Sequence, residues 1–127
     1  MKILITGDRN WTDYDLIFWA LAELPSGTTI IEGEARGADI ISRQCAETLE
    51  LNIIRMPADW DTYHKAAGPI RNQAMLDLDP DKTFAFHNNI KESKGTRDMC
   101  LRCIKKETPV TLHQTGKKPK LITKEDL

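Results

Sequence analysis

The sequence predicts an α/β fold: a Rossmann-like three-layer sandwich built on a mostly parallel five-stranded sheet. Two observations carry this. Short apolar runs alternate strictly with segments of helical periodicity, which calls for parallel strands joined by helical crossovers. Four Gly-centred motifs also follow or flank those apolar runs, where a strand turns into a helix: Gly7-Asp8-Arg9-Asn10-Trp11, Gly33-Glu34-Ala35-Arg36-Gly37-Ala38-Asp39, Ala67-Gly68-Pro69-Ile70-Arg71-Asn72 and Lys94-Gly95-Thr96-Arg97-Asp98.

Each element has a local reason. Lys2-Ile3-Leu4-Ile5-Thr6 reads as a buried strand. Asp13 to Leu24 reads as a helix, because Leu16, Ile17, Ala20, Leu21 and Leu24 keep helical spacing. Thr12 or Asp13 can cap it, and Pro25-Ser26-Gly27 ends it. Thr28 to Glu32 is a second strand, and Gly37 to Leu49 a second helix with Ile41, Cys45, Ala46 and Leu49 inward. Leu51 to Met56 is a third strand, stopped by Pro57. Ala58 to Ala67 reads as a polar loop and, carrying Trp60, Tyr63 and His64, as the wall or lid of a site. Pro69 fits the first turn of a third helix, which Asp79-Pro80-Asp81 breaks. Lys82 to His87 is a fourth strand, Gly95 to Lys106 a fourth helix, and Thr108 to Leu112 a fifth strand. The chain thus divides into one domain over residues 1–112 and a Lys-rich tail over 113–127.

Composition excludes several function classes. Hydrophobic residues make up 40% and charged residues 29% of 127, as in ordinary globular domains. With 18 basic and 19 acidic side chains there is no global pull toward nucleic acid or membrane, so any anion binding must be local. No apolar run reaches membrane-span length. Three cysteines argue against a disulfide framework and for a reducing, cytoplasmic setting. Cys100-Leu101-Arg102-Cys103 lacks a second cysteine pair and reads as core packing, so no metal or resident cofactor is expected.

The Gly-Arg motifs carry the functional argument. Glycine at a strand-to-helix turn lets backbone N–H groups approach a phosphate, and the helix start aims partial positive charge there. Arginine adds a planar fork for anions. In open α/β sheets ligands sit outside the C-terminal strand ends, where these motifs lie. The expected ligand-binding set is Gly7, Arg9, Trp11, Gly33, Arg36, Gly37, Asp39, Trp60, Arg71, Asn72, Gly95 and Thr96. Each has a plainer alternative. Arg9 could form a surface ion pair with Asp8 or Asp13, and Asp39 could simply favour a helix start. Arg71 and Asn72 could tie the third helix to the long loop, or sit at a subunit interface. Trp60 could stack on a base or pack. Arg71, Asp98, Glu32 and His64 are the candidates for catalysis, should there be any.

The Gly7–Trp11 string, Glu32–Asp39, Pro57-Ala58-Asp59-Trp60 and Ala66–Met75 together resemble the SLOG superfamily, and within it the small YspA-like (DUF2493) branch. The resemblance covers roughly Met1 to Leu112. It implies a Rossmann-like fold and a nucleotide-derived ligand, such as an NAD- or ADP-ribose-like molecule, and a homo-oligomer, most simply a dimer. It also places many relatives in phages and mobile elements. Within the superfamily, LOG enzymes release a base from nucleoside monophosphates, and DprA acts on single-stranded DNA. LOG enzymes carry Gly-Gly-x-Gly-Thr-x-x-Glu. Here Gly95-Thr96 remains, but Met99 stands at the Glu position and the Gly pair is missing from Asn88–Ser93. Efficient LOG-type hydrolysis is therefore not expected. A DprA-like nucleic-acid role is disfavoured by the near-neutral charge. Where branch members often have Gly, this chain has His64. The expected activity is binding, by sensing or sequestering. A nucleotide N-glycosidase or phosphoribohydrolase using Arg71 with Asp98 or Glu32 is the alternative.

Overall fold

Ile3, Leu4 and Ile5 are fully buried, which requires cover on both faces of their strand. The computed structural model, which describes all residues from Met1 to Leu127, supplies it. Strands β1 (Lys2–Gly7), β2 (Thr29–Glu32), β3 (Asn52–Arg55), β4 (Lys82–Phe86) and β5 (Val110–His113) pair in parallel. Helices α1 (Tyr14–Ala22) and α2 (Ala38–Thr48) precede α3 (Trp60–Tyr63), α4 (Ala67–Leu76) and α5 (Gly95–Lys105). Side chains alternate between two cores. Ile3, Ile5, Phe84 and Phe86 pack with Ile17 and Leu21 of α1 and Cys45 and Ala46 of α2. Leu4, Ile31 and Ala85 pack on the other side with Met75 of α4 and Met99, Cys100 and Cys103 of α5.

Beyond the order β3-β2-β1-β4-β5 the sheet carries one more strand at the β5 edge, six where five were expected. The sixth, β6 (Lys120–Leu121), runs antiparallel to β5 and lies in the Lys-rich segment. Ile122 after it is buried, and its N–H donates to the Val110 carbonyl at 3.0 Å. A two-residue, Lys-flanked edge strand carries no alternation to read, and lysine is the usual edge residue.

The expected loop at Ala58–Ala67 is partly helical. The Asp59 carboxylate accepts from the Thr62 N–H at 3.2 Å and caps α3, and a 3-10 turn over His64–Ala66 leads into α4. Pro69 falls in the first turn of α4, where its missing N–H has no intrahelical partner to lose. Asp13 caps α1, accepting from the Leu16 N–H at 3.2 Å. All three cysteines are free and buried. No helix is long and apolar enough to cross a membrane.

Candidate functional site

Strand order reverses at β1: its chain successor β2 lies on one side, while β4 lies on the other. Outside the C-terminal ends of β1 and β4 opens a cleft of about 810 Å³. Four chain segments build its walls. The β1–α1 turn contributes Gly7 to Asn10, and the β2–α2 turn contributes Ala35, Arg36 and Asp39. The α3–α4 segment gives Trp60, Lys65, Gly68, Pro69, Arg71 and Asn72, and the start of α5 gives Ser93 to Thr96 with Asp98.

Two glycines set the spacing. Gly37 holds φ +78°, and a Cβ there would overlap the backbone of Asp8 and Arg9, so the first two turns touch only because it has none. The Ala38 N–H donates to the Asp8 carbonyl at 3.1 Å across this contact. A Cβ at Gly33 would overlap the Arg71 guanidinium.

Arg71 ties the walls together. Its Nη1 donates to the Gly33 carbonyl at 2.5 Å and its Nε to Asn72 Oδ1 at 3.1 Å. Asn72 Nδ2 donates to Asp98 Oδ2 at 3.0 Å and to the Gly95 carbonyl at 3.4 Å. Arg102 Nε donates to the same Asp98 oxygen at 2.9 Å. The network leaves Arg71 Nη2 and Asp98 Oδ1 without a partner in the protein. Burial lowers the Arg71 pKa, Asp39 opposes that, and repulsion from Arg9 adds to it.

The cleft is cationic against a neutral protein. Arg9, Arg36, Lys65, Arg71 and Lys94 line it, opposed by Asp8, Asp39 and Asp98. Asp39 is occupied: its Oδ2 accepts from the Gly33 and Ala35 N–H groups at 3.2 and 3.3 Å, shaping the β2–α2 turn. Burial raises its pKa to about 6, although Arg71 and those two N–H groups pull it down. At the start of α5 the Ser93 hydroxyl accepts from the Thr96 N–H at 3.0 Å. Gly95 beside it is open, with no atom outside its own helical turn within 4 Å of where a Cβ would stand.

The structure thus brings Gly7, Arg9, Arg36, Asp39, Trp60, Arg71, Asn72, Gly95, Thr96 and Asp98 to one cleft. Gly33 and Gly37 stand behind it as spacers. Trp11 does not line it: the indole is buried, stands edge-on to Phe86 at 5.9 Å between centroids and donates to the Asp13 carbonyl. His64 is exposed outside the lining set. Glu32 is fully buried beneath the turn, out of reach of a ligand. Its Oε1 accepts from the Glu34 N–H at 2.7 Å while Oε2 has no partner. Burial, then a side-chain hydrogen bond to Glu34, pushes its pKa up to about 8, so it holds its proton at pH 7. Met99, where LOG enzymes carry Glu, is wholly in the core.

Sequence reasoning missed Asp8, Asn10, Lys65, His87, Ser93 and Lys94 as lining residues. Lys94 and Ser93 directly precede Gly95-Thr96, and that adjacency was a usable signal. Lys65 and His87 belong to no local pattern.

The model of the YspA, cpYpsA-related SLOG family (YAcAr) matches residues 1–63. The Gene 61 protein of Mycobacterium phage D29 is 36% identical over 110 residues, an alignment covering 80% of this chain and 86% of that protein. DNA processing protein A (DprA) from Streptococcus pneumoniae superposes with a TM-score of 0.74 at 15% identity over 87% of this chain. The chain spans about half of that one, 49%, and the likeness is one of fold.

Proposed function

Because the chain belongs to the YspA, cpYpsA-related SLOG family, we propose that its cleft binds a phosphorylated, nucleotide-derived small molecule, of the NAD or ADP-ribose kind, to sense or sequester it. One observation supports this above others: five cationic side chains and the start of α5 converge on a single cleft of a protein with net charge −1. Arg9, Arg36 and the open edge of Arg71 supply anion contacts, and Gly95 supplies a backbone N–H at the start of α5, the Thr96 N–H being held by the Ser93 hydroxyl. The free, buried cysteines suit a cytoplasmic protein.

Calorimetric titration with a panel of nucleotides tests it. One lost charge-assisted hydrogen bond costs about 1.5–3 kcal/mol, so Arg9→Ala weakens binding roughly 10- to 150-fold. Gly95→Val places bulk in the cleft without displacing protein atoms. Unchanged affinity in the doubly substituted protein removes the proposal.

A second reading has one observation in its favour. Asp98 lines the cleft with Oδ2 held by two donors and Oδ1 open, and Asn72 links it to Arg71. That pair suits N-glycosidase or phosphoribohydrolase chemistry, with Asp98 as the acid–base group. Base release from AMP that Asp98→Asn abolishes would establish it. We also propose a homo-oligomer, most simply a dimer, whose contact uses exposed Tyr63 and Ile70 on α3 and α4.

A further inference from the structure

Trp60 is 46% exposed, yet it is not loose on the surface. Its Cη2 edge lies against α4 at Gly68, where an added Cβ would stand 3.4 Å away. The ring thereby lines the cleft, and the Arg9 guanidinium carbon covers it at 5.7 Å from the centroid. Arg9 comes from the β1–α1 turn and Trp60 from α3, so this contact crosses the cleft mouth.

That distance decides what else the ring can hold. An aromatic ligand stacks about 3.5 Å from a ring, and a guanidinium on its far side would need about 7 Å. A base stacked on the face that Arg9 covers and Arg9 in its present position are therefore incompatible. The cation–π contact is exposed and of the weak kind, so a base can displace it. Released, Arg9 is one side chain's swing from the anion contacts assigned to it above.

We propose that Arg9 and Trp60 form an exchange gate: a purine ring takes the Trp60 face, and the freed Arg9 guanidinium takes the phosphate of the same molecule. The ligand class is a purine nucleotide, because a fused bicycle covers both rings of the indole where a pyrimidine covers one. This rests on the nucleotide-binding reading and adds to it that base and phosphate bind together. A nucleoside must break the Arg9 contact with nothing for Arg9 to gain. A sugar phosphate draws Arg9 away and leaves the ring bare.

The test is calorimetry with AMP, adenosine, ribose 5-phosphate and a ten-residue single-stranded oligodeoxyadenylate, read beside tryptophan emission. AMP should bind wild type most tightly. Trp60→Ala should weaken AMP about 5- to 150-fold, the range for one base–aromatic stack, and leave ribose 5-phosphate unchanged. Trp60→Phe, which keeps a ring face, should retain most of the AMP affinity and lose the emission change that AMP causes. Arg9→Ala should act in opposite directions, tightening adenosine and weakening AMP; a merely structural role gives no such crossing. If ribose 5-phosphate matches AMP and Trp60→Ala alters neither, the gate is overturned and the anion cleft stands. If AMP and ribose 5-phosphate both fail to bind, the nucleotide reading itself falls. If only the oligonucleotide binds, and through Trp60, the platform serves a nucleic acid and the proposal is overturned.

Discussion

Glu32→Gln should make this protein more stable at neutral pH. Glu32 ends β2 with no exposed surface, and its pKa is raised from 4.5 to about 8. At pH 7 the unfolded chain ionises this carboxyl freely, while the folded chain keeps it protonated. The gap of about 2.5 pH units between 4.5 and 7, at about 1.4 kcal/mol each, amounts to about 3 kcal/mol of stability forgone. Glutamine keeps an oxygen to accept the Glu34 N–H and carries no proton to lose. The sign follows from proton binding. Between pH 4.5 and 8 the folded state holds more protons than the unfolded, so wild-type stability falls as pH rises through that window. Below it both states are neutral and wild type and variant should agree. Urea unfolding at pH 4, 5.5, 7 and 8.5 reads the difference, which should grow to about 2–3 kcal/mol in favour of the variant by pH 7. Asp39 contributes a slope of the same sign, between 3.8 and about 6, in both proteins. A variant no more stable than wild type at pH 7 would refute the reasoning, since it would mean the carboxylate is ionised and compensated. Nucleotide affinity should not change, because Glu32 does not reach the cleft.

Other substitutions separate scaffold from site. Gly37→Ala should cost more than about 1–3 kcal/mol in urea unfolding, since the residue holds φ +78° and its Cβ would meet the Arg9 backbone at 2.5 Å. Gly33→Ala should instead displace Arg71 and lose ligand affinity out of proportion to stability; equal losses in both would show that the clamp is only structural. His64 sits at φ +50° and ψ −125°, glycine territory, so His64→Gly should stabilise by up to about 1 kcal/mol, and a less stable variant would contradict the assignment of strain there. Light scattering should give a mass near twice 14.4 kDa; a single species of 14.4 kDa with and without nucleotides would remove the dimer.

The alternation of apolar runs made the five parallel strands legible, because a strand buried on both faces must be apolar throughout, as Ile3, Leu4 and Ile5 are. The turns at Gly7 and Gly95 were legible as glycine motifs, whereas the strand order that makes β1 the switch point was not. Short elements were not. α3 has four residues and β6 two, fewer than one period of any pattern, and tertiary contacts hold them. The lining of the cleft was legible where charge stood beside glycine. It was obscured where sequence neighbours part company in space: Asp98 faces the cleft while Met99 next to it is buried. Trp11 misled because a motif lends its function to every letter, and this one turns inward to hold the loop. Glu32 misled for a related reason: a carboxyl next to a glycine motif looks available until burial is known.

The repulsion between Arg9 and Arg71 in the free cleft has a practical consequence. Any small dianion relieves it, whatever its shape. Sulfate or phosphate in a buffer should therefore raise the melting temperature by mass action and occupy the anion site of the proposed ligand. At a hundred times its own dissociation constant, such an ion adds about 2.7 kcal/mol of apparent stability and weakens a competing nucleotide about a hundredfold. Ligand screens run in phosphate buffer would then miss the weaker ligands. The same screens in chloride with an uncharged buffer would let the protein declare what it binds.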